Sequence, residues 1–152
     1  MEYLIRQARI TDVDRLAAIG RGTMPGSGSG SLDAADLLRQ LVYLPNASLL
    51  VAEMRREIVG GALLVLRPSV IAGGYVGTVD FLVVAPDHDS DHVTDALIEE
   101  VLRSAGNKGC STVEAAVPSD PASLARLERA GFAPAGPTLR RPLPAAGQTR
   151  RP

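Results

Sequence analysis

The chain reads as one α/β domain built on a mixed, mostly antiparallel central sheet with helices on both faces. Three observations predict this. Residues 48–54, 58–66 and 75–84 are apolar runs of strand length, and only three charged residues separate the first two, as in an antiparallel meander. Between the run at 75–84 and another at 111–117 lies an amphipathic stretch long enough to be the helix of a parallel crossover. At 152 residues and 45% hydrophobic content, the chain can bury one sizeable core but not two.

Taken in order, residues 3–10 alternate only loosely between apolar and polar, which suits a strand near a sheet edge. Thr11 then stands as an N-cap with Asp14 three residues on, followed by Leu16, Ala17 and Ile19 on one face of a helix. Residues 21–31 hold Pro25 and the run Gly26-Ser-Gly-Ser-Gly-Ser31, whose burial cannot offset its ordering entropy, so a mobile loop is expected. A second helix, from Leu32 or Asp33 to Tyr43, presents Leu37, Leu38, Leu41 and Val42 and stops before Pro45. The strands at 48–54 and 58–66 form a hairpin around Arg55-Arg56-Glu57, and Gly60-Gly61 marks a bulge or a close approach.

The strand at 75–84 leads into a helix over 91–105, which Gly106-Asn-Lys-Gly109 stops. After the strand at 111–117, Asp120 caps a short helix with Pro121 at its first position, and Gly131 ends it at about residue 130. Residues 132–135 and 138–143 are expected as a last pair of short strands. The domain then spans 1–143, and the Pro-, Gly- and Arg-rich residues 144–152 form a disordered tail.

Composition removes several function classes. Sixteen basic side chains face seventeen acidic ones, so no overall field draws the protein to nucleic acid or to an anionic membrane. No apolar stretch approaches membrane-spanning length, and the first residues lack the basic and apolar segments of a secretion signal; a cytoplasmic protein is expected. The single cysteine, Cys110, opens a strand and has no histidine beside it in sequence, which points to a buried inert thiol.

The stretch from Val84 to Leu97 carries the most chemistry. Strand, short loop, helix is the geometry that aims backbone N–H groups at an anion. Here the loop holds Asp87, Asp89 and Asp91 and no Arg, Lys or Gly, while His92 and Thr94 stand where a close backbone approach would want glycine. A carboxylate about 6 Å from a phosphate repels it by roughly 1.5 to 3 kcal/mol at an effective dielectric of about 20 to 40, before salt screening. Asp87, Ser90 and Asp91 are also good cap residues, so the protein's own carboxylates could take the place of a bound anion. Aspartates at alternate positions mimic the opening of a calcium loop, but its sixth position is His92 and its twelfth is Ile98, and zinc held by His88 and His92, four apart, would need the helix to begin early; no metal is expected. Asp80, set in the apolar run Val79-Asp-Phe-Leu-Val-Val84, is either a paired or rim carboxylate or a functional one.

Two strings carry a family resemblance. Val84-Ala85-Pro86-Asp87, followed by Ala96-Leu97-Ile98 on the third helix, is similar to the Val-x-Pro-Glu that ends the fourth strand of the GNAT superfamily of N-acetyltransferases. Leu124-Ala-Arg-Leu-Glu-Arg-Ala-Gly-Phe132 resembles that superfamily's late helix, which ends in Glu-Lys-x-Gly-Phe. With the element order, the resemblance covers residues 3 to about 143. It implies acyl transfer, acetyl first, from a coenzyme A thioester to a primary amine on a small molecule or peptide.

The resemblance also implies contacts to acetyl-CoA at Phe81, Leu82, Val83, Val84, Ser90 and Val93, in a gap between the fourth and fifth strands, with Asp80 as the base. The superfamily's acyl-CoA loop, Arg or Gln, two residues, Gly, one residue, Gly or Ala, falls on Asp89, His92 and Thr94, and all three differ. Its usual acid, a tyrosine, falls on Leu127, which cannot protonate a thiolate, and the preceding asparagine falls on Asp120. In that superfamily the region of Gly26 helps cover the acceptor. Two functions therefore stand side by side: an N-acetyltransferase, or a binding or regulatory module of the same fold that takes no acetyl-CoA and no other cofactor. The acceptor and the oligomeric state, a homodimer among the options, are not set by the sequence.

Overall fold

Both faces of the sheet are covered, and for that reason its central strands read as continuous apolar runs instead of alternating ones. In the computed structural model, which describes residues 3–21, 33–88, 90–118, 120–136, 139 and 141–142, β1 (Leu4–Gln7) leads through a 3₁₀ turn (Ile10–Asp12) into α1 (Val13–Gly20). Next come α2 (Ala34–Leu41), β2 (Ala47–Met54), β3 (Glu57–Ser69), β4 (Gly74–Val84), α3 (Ser90–Asn107), β5 (Cys110–Ala115) and α4 (Pro121–Arg129). The strands lie in the order β1-β2-β3-β4-β5. Pairing is antiparallel from β1 to β4 and parallel between β4 and β5. The first strand does sit at an edge.

Side chains of β2 alternate between two cores. Leu49 and Val51 join Leu16 of α1 and Leu38 of α2 on one face. Leu50 and Ala52 join Val93, Leu97 and Val101 of α3 on the other. Between them, Gly60 and Gly61 thin the sheet. A β-carbon on Gly60 would lie 2.8 Å from the carbonyl oxygen of Val83 and 3.2 Å from Val93, and one on Gly61 would lie 2.5 Å from Leu16. The close approach expected of this pair is therefore met on both faces, by α3 and by α1.

The β2–β3 turn is tighter than three residues, because Met54 pairs with Glu57 and leaves only Arg55 and Arg56 in the loop. Both take positive φ, 52° and 66°. A two-residue loop of type I′ requires that conformation at both positions, and its twist then matches that of the strands.

Three expectations need correction. Thr11 does not cap the first helix: Asp12 ends the 3₁₀ turn, and its Oδ2 accepts the Arg9 amide at 2.8 Å and Arg6 Nη1 at 2.8 Å, while Arg6 Nε donates to Glu53 at 3.1 Å. A buried carboxylate with a guanidinium in reach serves the turn better than a threonine hydroxyl. Residues 132–136 are not a strand: Pro134 has no amide to give a ladder, and among the described residues no strand pairs with them; residues 138, 140 and 143 of the second expected strand lie outside the described residues. Cys110 is half-buried, not buried. The loop at 22–32 and the tail from 143 also lie outside the described residues. No helix among the described residues is long and apolar enough to cross a membrane.

Gly60→Ala should cost about 1 to 3 kcal/mol, because its new methyl meets backbone oxygen that cannot step aside; a lower midpoint in urea unfolding at unchanged slope checks it. The Arg6 hydrogen bond, helped by the Arg9 amide, holds Asp12 below its ordinary carboxylate range although burial opposes this. A depressed folded pKa stabilises above the unfolded value of about 3.9 and loses that stabilisation as pH falls through the folded one. Asp12→Asn should therefore cost about 1 to 3 kcal/mol at pH 7 and make unfolding less sensitive to acid below about pH 4 than in the parent.

Candidate active site

The sheet splits at one place. β5 pairs with β4 from Tyr75↔Cys110 to Val79↔Ala115 and then ends, while β4 runs on to Val84 with β3, among the described residues, as its one strand neighbour. At the fork stands Asp80. Phe81 pairs with Leu63 and Val79 with Leu64, so Asp80 is the extra residue of a β-bulge, and it is exposed. The bulge resolves the puzzle of a carboxylate in an apolar run, for its charge never enters the core.

Beyond the fork, the open edge of β4 offers backbone donors. The Ala85 amide donates to Val59 of β3 at 2.8 Å. By the alternation of a strand, Phe81 and Val83 also turn their backbone groups to β3, and the N–H groups of Leu82 and Val84 face the gap. Phe81 and Val83 pack their side chains with α1 and α2, and Leu82 and Val84 pack theirs under α3. Of the four residues expected to line the gap, two present amides to it and two anchor the strand.

Because β4 and β5 are parallel, the helices that follow them, α3 and α4, start at the same end and flank the mouth of the gap. Two ion pairs join them: Arg126 Nε to Asp91 Oδ1 at 2.5 Å, and Arg129 Nη2 to Asp95 Oδ1 at 3.1 Å. The Arg126 hydrogen bond keeps Asp91 below its ordinary carboxylate range. Asp91 therefore lies inside the first turn of α3 with its carboxylate turned to another helix, and it does not cap.

The remaining expected residues scatter. Ser90 is the first residue of α3, where its amide is one of the donors without an intrahelical partner. Val93 is fully buried against Gly60 and serves the contact between helix and sheet. Thr94, at the last position of the altered loop, is buried too. Asp89 lies outside the described residues. Asp87 is exposed, and the rings of His88 and His92 stand edge-on to Tyr3, with centroids 6.5 and 5.4 Å away. Among the described residues no group of three or more His, Cys, Asp or Glu is placed to hold a metal.

On α4, Asp120 is committed as the N-cap, accepting the Ser123 amide at 2.9 Å, and hydrogen bonding to the Ser123 side chain, then to that amide, lowers its pKa. Leu127 is buried. Cys110 sits at the opposite end of β5, in a cleft of about 330 Å³ that Phe132 also lines. Sequence reasoning missed Arg126 and Arg129. A signal existed, since arginines three apart on one helix match aspartates four apart on another, but pairing the two helices requires the fold.

The acetyltransferase (GNAT) family model matches residues 13–132. No curated protein matches the chain. Among solved structures, a transcriptional regulator from Bacillus halodurans C-125 superposes with a TM-score of 0.79 at 17% identity, over 93% of this chain and 100% of that one. A ribosomal-protein-alanine N-acetyltransferase from Brucella melitensis biovar Abortus 2308 gives 0.71 at 20% identity, over 92% and 99%. An acetyltransferase from Trypanosoma brucei gives 0.70 at 24% identity, over 93% and 100%. At these identities the likeness is one of fold, and it extends over the whole length of each neighbour.

Proposed function

The chain belongs to the GNAT family of acetyltransferases, and on that premise we propose that it transfers an acyl group, acetyl first, from a coenzyme A thioester to a primary amine. The observation that carries this reading is the split between β4 and β5 beyond Val79 and Ala115. A sheet that forgoes strand pairing leaves donors in need of acceptors, and an amide-bearing pantetheine chain offers them. Leu82 and Val84 would hold it through their N–H groups, and Ser90 would offer its amide at the mouth. Val93 drops out of the contact set because its side chain lies in the core.

The thioester supplies an activated carbonyl, so the protein's task is positioning and proton transfer. Asp80, exposed at the fork, takes the amine's proton, directly or through a water. No residue is assigned as acid. A thiolate needs little help to leave, since a cysteine-like thiol titrates near pH 8.5, and solvent can protonate it. The acceptor is an amine of a small molecule or peptide, and a cytoplasmic site of action fits a chain whose one cysteine is free.

A second reading is a binding or regulatory module that does not take acetyl-CoA. Buried Leu127 in place of a tyrosine, and His92 and Thr94 in place of glycines, favour it.

Titration with acetyl-CoA under amide chemical-shift detection separates the two. Saturable shifts at Leu82, Val84 and Ser90 are expected for the transferase, whereas flat spectra at millimolar ligand would overturn it and favour the module. For the transferase, Asp80→Asn should lower kcat by about 10²- to 10⁴-fold and leave acetyl-CoA affinity within about twofold, as loss of a general base requires.

A further inference from the structure

Arg126 is placed oddly for a structural ion pair. Its side chain is mostly buried while that of its partner Asp91 is mostly exposed, and it uses one of its five N–H donors. Nε holds Asp91, and among the described residues neither Nη1 nor Nη2 makes a hydrogen bond. A guanidinium binds a carboxylate or a phosphate best through two parallel donors. Single-point attachment leaves the other edge of the plane available.

Position adds to this. Arg126 reaches α3 from α4 across the mouth of the gap, and Arg129 does the same one turn further on, where its Nη2 touches both oxygens of Asp95. An anion at the start of α3 meets Arg126 first, with Arg129 one turn further from the opening. The aspartates that hold them are exposed, and exposed pairs are weak and screened by salt, so exchanging a carboxylate for a phosphate costs little. The pairing also offsets the negative charge that the loop's aspartates bring to this end of α3.

We propose that Arg126, supported by Arg129, is the side-chain anchor for the diphosphate of the coenzyme A thioester, and that Asp91 holds it in readiness until the diphosphate displaces the carboxylate. This rests on the transferase reading above and deepens it: the cation missing from the loop after β4 comes from α4. Asp91 is then a competitor of the ligand.

That competition gives the test its sign. Affinities for coenzyme A and for acetyl-pantetheine, which lacks the diphosphate, are measured by calorimetry on the full chain and on Arg126→Ala and Asp91→Asn. Arg126→Ala should weaken coenzyme A by about tenfold and acetyl-pantetheine by less than about twofold. Asp91→Asn should tighten coenzyme A by about three- to tenfold. A clasp that only braces α4 would make both substitutions weaken both ligands, and that result overturns the proposal while leaving the transferase reading in place. Unchanged coenzyme A affinity in Arg126→Ala does the same. Should none of the three proteins bind coenzyme A at millimolar concentration, the transferase reading falls and takes this inference with it. Binding by Asp91→Asn alone would support both.

Discussion

Two adjacent glycines set the thickness of this molecule. Gly60 and Gly61 lie on β3 at the centre of a five-stranded sheet; a β-carbon on Gly60 would collide with the Val83 carbonyl oxygen of β4 and crowd Val93, and one on Gly61 would collide with Leu16. Side chains there would push Leu16 and Val93, and the helices that carry them, away from the sheet. The start of α3 is tied to the end of β4 by only a few residues, so the height of the helix decides where that loop and the mouth of the gap can be. A packing constraint in the core thus sets the position of a polar loop at the rim.

The rim itself is an electrostatic compromise. The turn after β4 is acidic, which speaks against an anionic guest, yet in the fold α4 delivers Arg126 and Arg129 to Asp91 and Asp95. Charges more than thirty positions apart in sequence cancel at close range. The loop is less hostile to phosphate than its own residues imply, and its character belongs to two helices jointly. The Arg6, Asp12 and Glu53 cluster works in a different way, since it is part-buried, satisfies a turn amide and ties β1 to β2.

Asp80 illustrates how a bulge changes a reading. In a regular strand covered on both faces, a carboxylate between Val79 and Phe81 would have to point into a core. The register shift between Leu63 and Leu64 makes it the unpaired residue, exposed where β5 departs. Fork, bulge and carboxylate coincide, and among the described residues the neighbouring amides of Leu82 and Val84 have no strand to bond.

Local rules sufficed for much of this. The apolar runs, the two-residue hairpin's neighbourhood, Asp120 as a cap with Pro121 behind it, Gly131 as a stop and the close approach at Gly60 and Gly61 all follow from steric and hydrogen-bonding preferences that act within a few residues, and so they are legible in one dimension. The strand expected at 132–135 does not form because a strand needs a partner, which no run of residues contains. Which face Val93 turns inward, that Asp91 binds Arg126 instead of capping, and that Asp80 is extruded were decided only when helices and strands distant in sequence came together, because burial and charge pairing depend on neighbours in space.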